Sequence, residues 1–183
     1  MLRYLLLFYV LLGLTTQSAA MDADSIKKFH DAVQIGDVET VKAMLSAEPA
    51  FATSTDEHKF QPIHLLDMYF DPEILKLLLS NGADINAKND DGITLLHIIA
   101  DPEAVSVIVA NGGDIEARDT NGRTPLIEQA DNQQNGTDVV VALLASGANA
   151  NAKDFDDQTA LSLAQQTSNQ DLARVLRRAG AEE

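Results

Sequence analysis

Leu77–Lys88 reads LLLSNGADINAK, and the chain returns to it at Val107–Arg118 as VIVANGGDIEAR and at Leu143–Lys153 as LLASGANANAK, with a shortened echo, RRAGAEE, over Arg177–Glu183. Gly82, Gly112, Gly147 and Gly180 mark the phase at intervals of 30, 35 and 33 residues. Self-similarity at such a period signals a repeat architecture. A second marker precedes each glycine: QPIH over Gln61–His64, TLLH over Thr94–His97, TPLI over Thr124–Ile127 and TALS over Thr159–Ser162. Thr or Gln before an apolar run, with Pro at the first helical position, predicts a capped first helix. Apolar residues at helical spacing, as in Ile74, Leu75, Leu77, Leu78 and Leu79, predict a second helix that ends where glycine takes a left-handed conformation. No such unit can cover its own apolar face, so the units must stack into a continuous core.

These residues resemble the ankyrin repeat, a unit of about 33 residues running Asp-x-x-Gly-x-Thr-Pro-Leu-His, two short helices, then Leu-Leu-x-x-Gly-Ala-x-x-Asn-Ala. The resemblance covers nearly all of residues 21–183 and implies an all-α solenoid of about five helix-turn-helix repeats with short finger turns, at about 22–55, 56–88, 89–118, 119–153 and 154–183. The first departs from the pattern by carrying SAEPAFA (Ser46–Ala52) in place of the Gly-Ala ending. The third is three residues short, with Asp101 and Pro102 where an inter-helix glycine turn is usual, and the fourth is two residues long, the surplus falling in DNQQNG (Asp131–Gly136). Arg174, Arg177 and Arg178 suit the C-terminal end of the last helix, where the dipole favours cations.

Ahead of the repeats, Met1–Arg3 is followed by the uncharged run Tyr4–Leu14 and the small and polar stretch Thr15–Ala20. That is the order of a signal peptide. Eleven apolar residues rise only about 16 Å as a helix, roughly half the hydrocarbon thickness of a bilayer, so cleavage after Ala20 is expected rather than a permanent span. The expected location is periplasmic, with secretion as the alternative, and no membrane attachment after cleavage.

The chain of 183 residues carries 13 Lys plus Arg against 28 Asp plus Glu, a formal charge of −15, and no cysteine. Such a field repels phosphate backbones and anionic lipid, so nucleic acid is excluded as a partner and a basic protein favoured. Without cysteine there is no disulfide, thiolate nucleophile or zinc-thiolate site. His64 and His97 fall on the histidine that, in the family the chain resembles, bridges neighbouring repeats. No third ligand recurs with them and no His-Glu-x-x-His is present, so no metal is expected. The acidic clusters Asp56–Glu57, Asp90–Asp91 and Asp154–Asp157 lack the ligand alternation of a calcium loop and read as turn chemistry. There is no Gly-x-Ser-x-Gly and no phosphate-binding glycine loop; no catalytic residue and no cofactor is assigned.

In the family, finger turns and first helices form a concave face that binds other proteins. The candidate partner-binding residues are therefore His58, Phe60, Met68, Tyr69, Asp91, Ile93, Asn121, Arg123, Phe155 and Gln158. Phe60, Tyr69, Ile93 and Phe155 are apolar at turns and helix ends, as interface anchors often are, with the folding of Phe60 and Phe155 back over neighbouring repeats the alternative. Asp67, Glu128 and Gln129 stand where the family carries small or apolar residues; because an unpaired buried carboxylate is costly, either they face a functional groove, the more economical reading, or they bond across repeats. Together these features describe a monomeric, exported bacterial-type binding module, in one concrete version an inhibitor or immunity protein against a basic toxin or hydrolase. The alternatives are an accessory factor for a haem enzyme such as catalase, and an enzyme with its site across repeats.

Overall fold

A computed structural model describes residues 21–132 and 136–182. The expected signal segment, 1–20, and residues 133–135 of the DNQQNG stretch in the fourth repeat lie outside the described residues. Every regular element described is helical: α1 (Ala23–Gln34), α2 (Val38–Ala47), 3-10 turns at Pro49–Thr53 and Pro62–Leu66, α3 (Pro72–Ser80), α4 (Leu95–Ile98), α5 (Pro102–Ala110), α6 (Pro125–Asp131), α7 (Gly136–Ala145), α8 (Ala160–Gln166) and α9 (Gln170–Arg178).

Short polar side chains start these helices, each satisfying amide groups that have no partner inside the helix. Asp22, Asp37, Asp71, Asp101 and Asn169 cap α1, α2, α3, α5 and α9, accepting from Ser25 N at 2.7 Å, Thr40 N at 3.1 Å, Glu73 N at 2.7 Å, Glu103 N at 2.8 Å and Leu172 N at 3.1 Å. Thr124 and Thr159 do the same for α6 and α8. The phase-marking glycines Gly82, Gly112, Gly147 and Gly180 follow the second helices with φ between 91° and 99°, the left-handed ending their spacing predicts.

Two layers result. The first elements stack on one another, α1 on Pro62–Leu66, that turn on α4, α4 on α6 and α6 on α8. Second helices stack behind them, α2 on α3, α5 on α7 and α7 on α9. Between the layers runs one core from Phe29 and Val33 through Leu66, Leu75, Leu96 and Ile108 to Leu143, Leu161 and Leu176. At its start, the PAFAT turn that replaces the glycine ending brings Phe51 onto Phe29, ring centroids 5.3 Å apart.

The first elements of the second and third pairs are shorter than the family pattern implies. One is a five-residue 3-10 turn and the other the four-residue α4. Asp71-Pro72 and Asp101-Pro102 are the reason, because a residue preceding proline is pushed out of the α region and the aspartate is then placed to cap the next helix. Asp67–Asp71 bridge the second pair, whereas Ile99–Asp101 suffice in the third.

Gly92 turns one finger with φ at 76°, and a Cβ there would sit 3.0 Å from Asp119 Cα and Thr120 N, backbone atoms of the next finger. Gly92→Ala is therefore expected to lose about 3 kcal/mol, combining the left-handed penalty with displacement of a neighbouring strand of chain. Gly36→Ala, where nothing lies within 4 Å, should lose only the backbone part, about 1 kcal/mol. Urea unfolding of the two variants separates the contributions.

Candidate functional site

Four turns of identical construction project between the helix pairs. In each, the first residue takes two amides: Asp56 from His58 N and Phe60 N, both at 2.9 Å; Asn89 from Asp91 N at 3.0 Å and Ile93 N at 2.9 Å; Asp119 from Asn121 N and Arg123 N, both at 2.8 Å; Asp154 from Asp156 N at 2.9 Å and Gln158 N at 2.8 Å. Its own N–H donates to the fifth residue's carbonyl, as in Asp119 N to Arg123 O at 3.0 Å. Short polar side chains close these loops as the sequence implies. Successive turns are then tied together: Asp90 N donates to His58 O at 3.5 Å, Thr120 N to Asp91 O at 2.9 Å and Phe155 N to Asn121 O at 3.0 Å. The fingers are a cross-linked row rather than independent loops.

The histidines brace that row from below. His64 Nδ1 accepts from Gln61 N at 3.0 Å, so its proton lies on Nε2, which reaches Ala87 O at 3.0 Å and Ile93 O at 3.1 Å. His97 repeats the arrangement one unit on, Nδ1 accepting from Thr94 N at 3.2 Å and Nε2 donating to Arg123 O at 3.2 Å. Burial holds both imidazoles below their ordinary pKa. They are the bridges that the family resemblance implies.

His30, likewise lowered by burial, sits with Nε2 3.0 Å from Ser54 Oγ. The serine hydroxyl donates to Phe51 O at 2.8 Å, so the imidazole supplies the proton in the His30–Ser54 bond. A nucleophile needs the opposite polarity, with histidine accepting from serine. Among the described residues no group of three His, Cys, Asp or Glu is placed to hold a metal ion, and no helix is long and apolar enough to cross a membrane.

The ten candidate residues divide into three kinds. His58, Asp91 and Asn121 occupy the third position of their turns and are exposed, beside Glu57, Asp90, Asp156 and Asp157. Phe155 is 73% exposed and its ring lies across Gly122. Phe60, Ile93, Arg123 and Gln158 hold the fifth, turn-closing position and are half-buried. The Phe60 ring meets His64 edge-on at 5.5 Å. Arg123 is engaged internally: its guanidinium binds Glu128 at 3.1 Å and Asp131 at 3.0 Å, and approaches Asp154 at 3.7 Å. Burial alone would lower its pKa, but those hydrogen bonds and charges outweigh it and raise the pKa. Met68 and Tyr69 stand apart from the fingers, in the bend between the two helical elements of the second pair.

The groove explanation for Gln129 and Glu128 is corrected by these contacts. Gln129 is 1% exposed and donates to His97 O at 2.9 Å and Ile99 O at 3.0 Å, bonding across repeats. Glu128 is the partner of Arg123. Asp67 is half-buried, and desolvation raises its pKa.

Lys59 and Asp157 fill the fourth turn position, where two other fingers carry Gly92 and Gly122, and both adopt φ of 59°. Lys59→Gly should raise stability by about 1 kcal/mol, the left-handed cost of a side chain removed; an unchanged urea midpoint would contradict it.

A family model described as ankyrin repeats (3 copies) matches residues 63–154 and 100–182. The human protein named ankyrin repeat domain-containing protein 35 is 43% identical over 65 residues, which are 36% of this chain and 6% of that protein. The matched stretch thus spans only a small part of the relative's length.

Proposed function

We propose that this chain, which belongs to the ankyrin-repeat family, is a protein-binding module whose finger row and adjoining first helices hold a basic partner protein. The observation that carries the reading is the cross-linked row of fingers with six exposed carboxylates, Asp56, Glu57, Asp90, Asp91, Asp156 and Asp157, in three of the four turns, against one exposed lysine in those turns, Lys59, which pairs with Asp90 at 3.3 Å. A fixed backbone lets a partner dock without ordering loops, and an excess of negative charge speeds encounter with an oppositely charged surface. Within this reading the chain is an exported inhibitor or immunity protein that covers a basic toxin or hydrolase. Support for export is the residue order of 1–20, and support for inhibition is the acidity of the fingers. No reaction is assigned to it.

The test is capture of the partner from an extract of the source cell at low and high salt, followed by binding kinetics. A variant carrying Asp90→Asn, Asp91→Asn, Asp156→Asn and Asp157→Asn keeps the turn geometry, since asparagine tolerates the left-handed region. Its association rate should fall about tenfold at low salt, with dissociation little changed. Recovery of no partner at either salt, or an unchanged association rate, would contradict the reading.

A further inference from the structure

Away from the fingers, at the opposite ends of the first elements, the inter-helix bends form an open groove of about 520 Å³ lined by Ile35, Met68, Tyr69, Phe70, Asp71 and Asp101. Ile35, Met68 and Tyr69 are 72%, 63% and 69% exposed. Three large apolar side chains so close together in water are an interaction surface rather than scattered surface residues. The fold has no need of two of them. The third pair makes the same Asp-Pro-Glu start to its second helix with a bend two residues shorter, passing from α4 through Ile99 and Ala100 to Asp101. Met68 and Tyr69 therefore do nothing for the turn that the shorter bend does not achieve without them.

The chemistry around the patch is one-sided. Its charged lining residues, Asp71 and Asp101, are both acidic. Asp67, next to Met68, is half-buried and ties the edge together through its carbonyl, which accepts from Ala100 N at 3.0 Å. Among the described residues no lysine or arginine pairs with any of these three carboxylates. Such an edge repels anionic lipid and attracts a cationic chain carrying apolar side chains.

We propose that the inter-helix edge at Ile35, Met68–Asp71 and Asp101 is a docking site for a basic amphipathic segment of the partner protein, its apolar side chains on Met68 and Tyr69 and its lysines or arginines on Asp71 and Asp101. The inference rests on the reading of the chain as a binder of a basic protein, and gives that partner a second contact outside the finger row.

A fluorescein-labelled amphipathic Leu/Lys peptide of about 14 residues, roughly four helical turns, is the probe, and its anisotropy the readout. A Ser/Lys peptide of equal charge is its control. The double variant Met68→Ser, Tyr69→Ser removes the apolar contact from exposed positions, and Asp71→Asn with Asp101→Asn removes charge while keeping the helix caps. Expected are weakening of at least about tenfold for the serine variant and a shallower salt dependence for the asparagine variant. The four-site finger variant should bind within about twofold of the unaltered protein. No binding of the Leu/Lys peptide, equal binding of the Ser/Lys peptide, or serine-variant binding equal to that of the unaltered protein would each overturn the proposal. Loss of the peptide only in the finger variant would also overturn it while leaving the finger-row reading intact. Cosedimentation with phosphatidylcholine vesicles that Met68→Ser, Tyr69→Ser abolishes, without peptide binding, would replace the protein segment by a membrane.

Discussion

His97→Ala is expected to lower the stability of the array by about 4 kcal/mol, from unsatisfied buried groups plus the cavity left behind. Three groups lose their partner at once: Thr94 N and Thr94 Oγ1, 3.2 and 2.9 Å from Nδ1, and Arg123 O, 3.2 Å from Nε2. The side chain is almost wholly buried, so water cannot replace it without opening the stack. For a chain of this size the loss corresponds to a fall of roughly 10 °C in Tm. His58→Ala, at an exposed finger position, should stay within about 0.5 kcal/mol. Urea titrations followed by circular dichroism at 222 nm make the comparison. The reverse pattern, with both variants fully stable but some turnover lost, is what an enzyme with its site across repeats would give.

Acidification should have an effect as large. His30, His64 and His97 are all held neutral in the folded chain, chiefly by burial. In the unfolded chain each takes up a proton near pH 6.5. Below that pH the unfolded state binds protons that the folded state refuses, so stability is present above about pH 6.5 and is lost as pH falls toward the depressed folded values. Each histidine contributes a slope of up to about 1.4 kcal/mol per pH unit. Geometry adds to the effect, because protonation of Nδ1 in His64 or His97 would abolish its acceptance of the Gln61 or Thr94 amide. Asp67 opposes it: burial raises its pKa, so its ionised form is destabilising and protonation at low pH restores stability. One carboxyl against three imidazoles leaves a net loss. Urea midpoints between pH 7.5 and 5.5 should fall steadily, and less steeply in His97→Ala; a flat profile would contradict the assignment of neutral, buried imidazoles.

The solenoid was legible in the sequence because its markers are backbone requirements. A left-handed ending at Gly82 or Gly147 and an aspartate closing a five-residue turn are local demands met by local residues. The bridging role of His64 and His97 is what the resemblance to the ankyrin repeat implies, because both stand at that pattern's histidine. What the sequence hid depends on which residues from distant positions meet. Arg123 looks like a surface cation until Asp131 and Asp154 arrive beside it from a helix end and from the next finger. Gln129 lies among Leu126, Ile127 and Ala130, all buried, and that apolar neighbourhood was the available sign that it faces inward. On the family's usual helix length, Met68 and Tyr69 fall at the first helix of the concave face. The shortened first element carries them to the other edge, and Asp71-Pro72, visible in the sequence, was the signal for that shortening.

Hydrogen exchange on the captured complex tests the finger-row interface most directly. With partner bound, amides in 55–60, 89–93, 119–123 and 154–158 should exchange more slowly than in the unbound chain, while exposed positions along α2, α5 and α7 keep their rates. Protection confined to those second helices, with the four turns unchanged, would contradict the account.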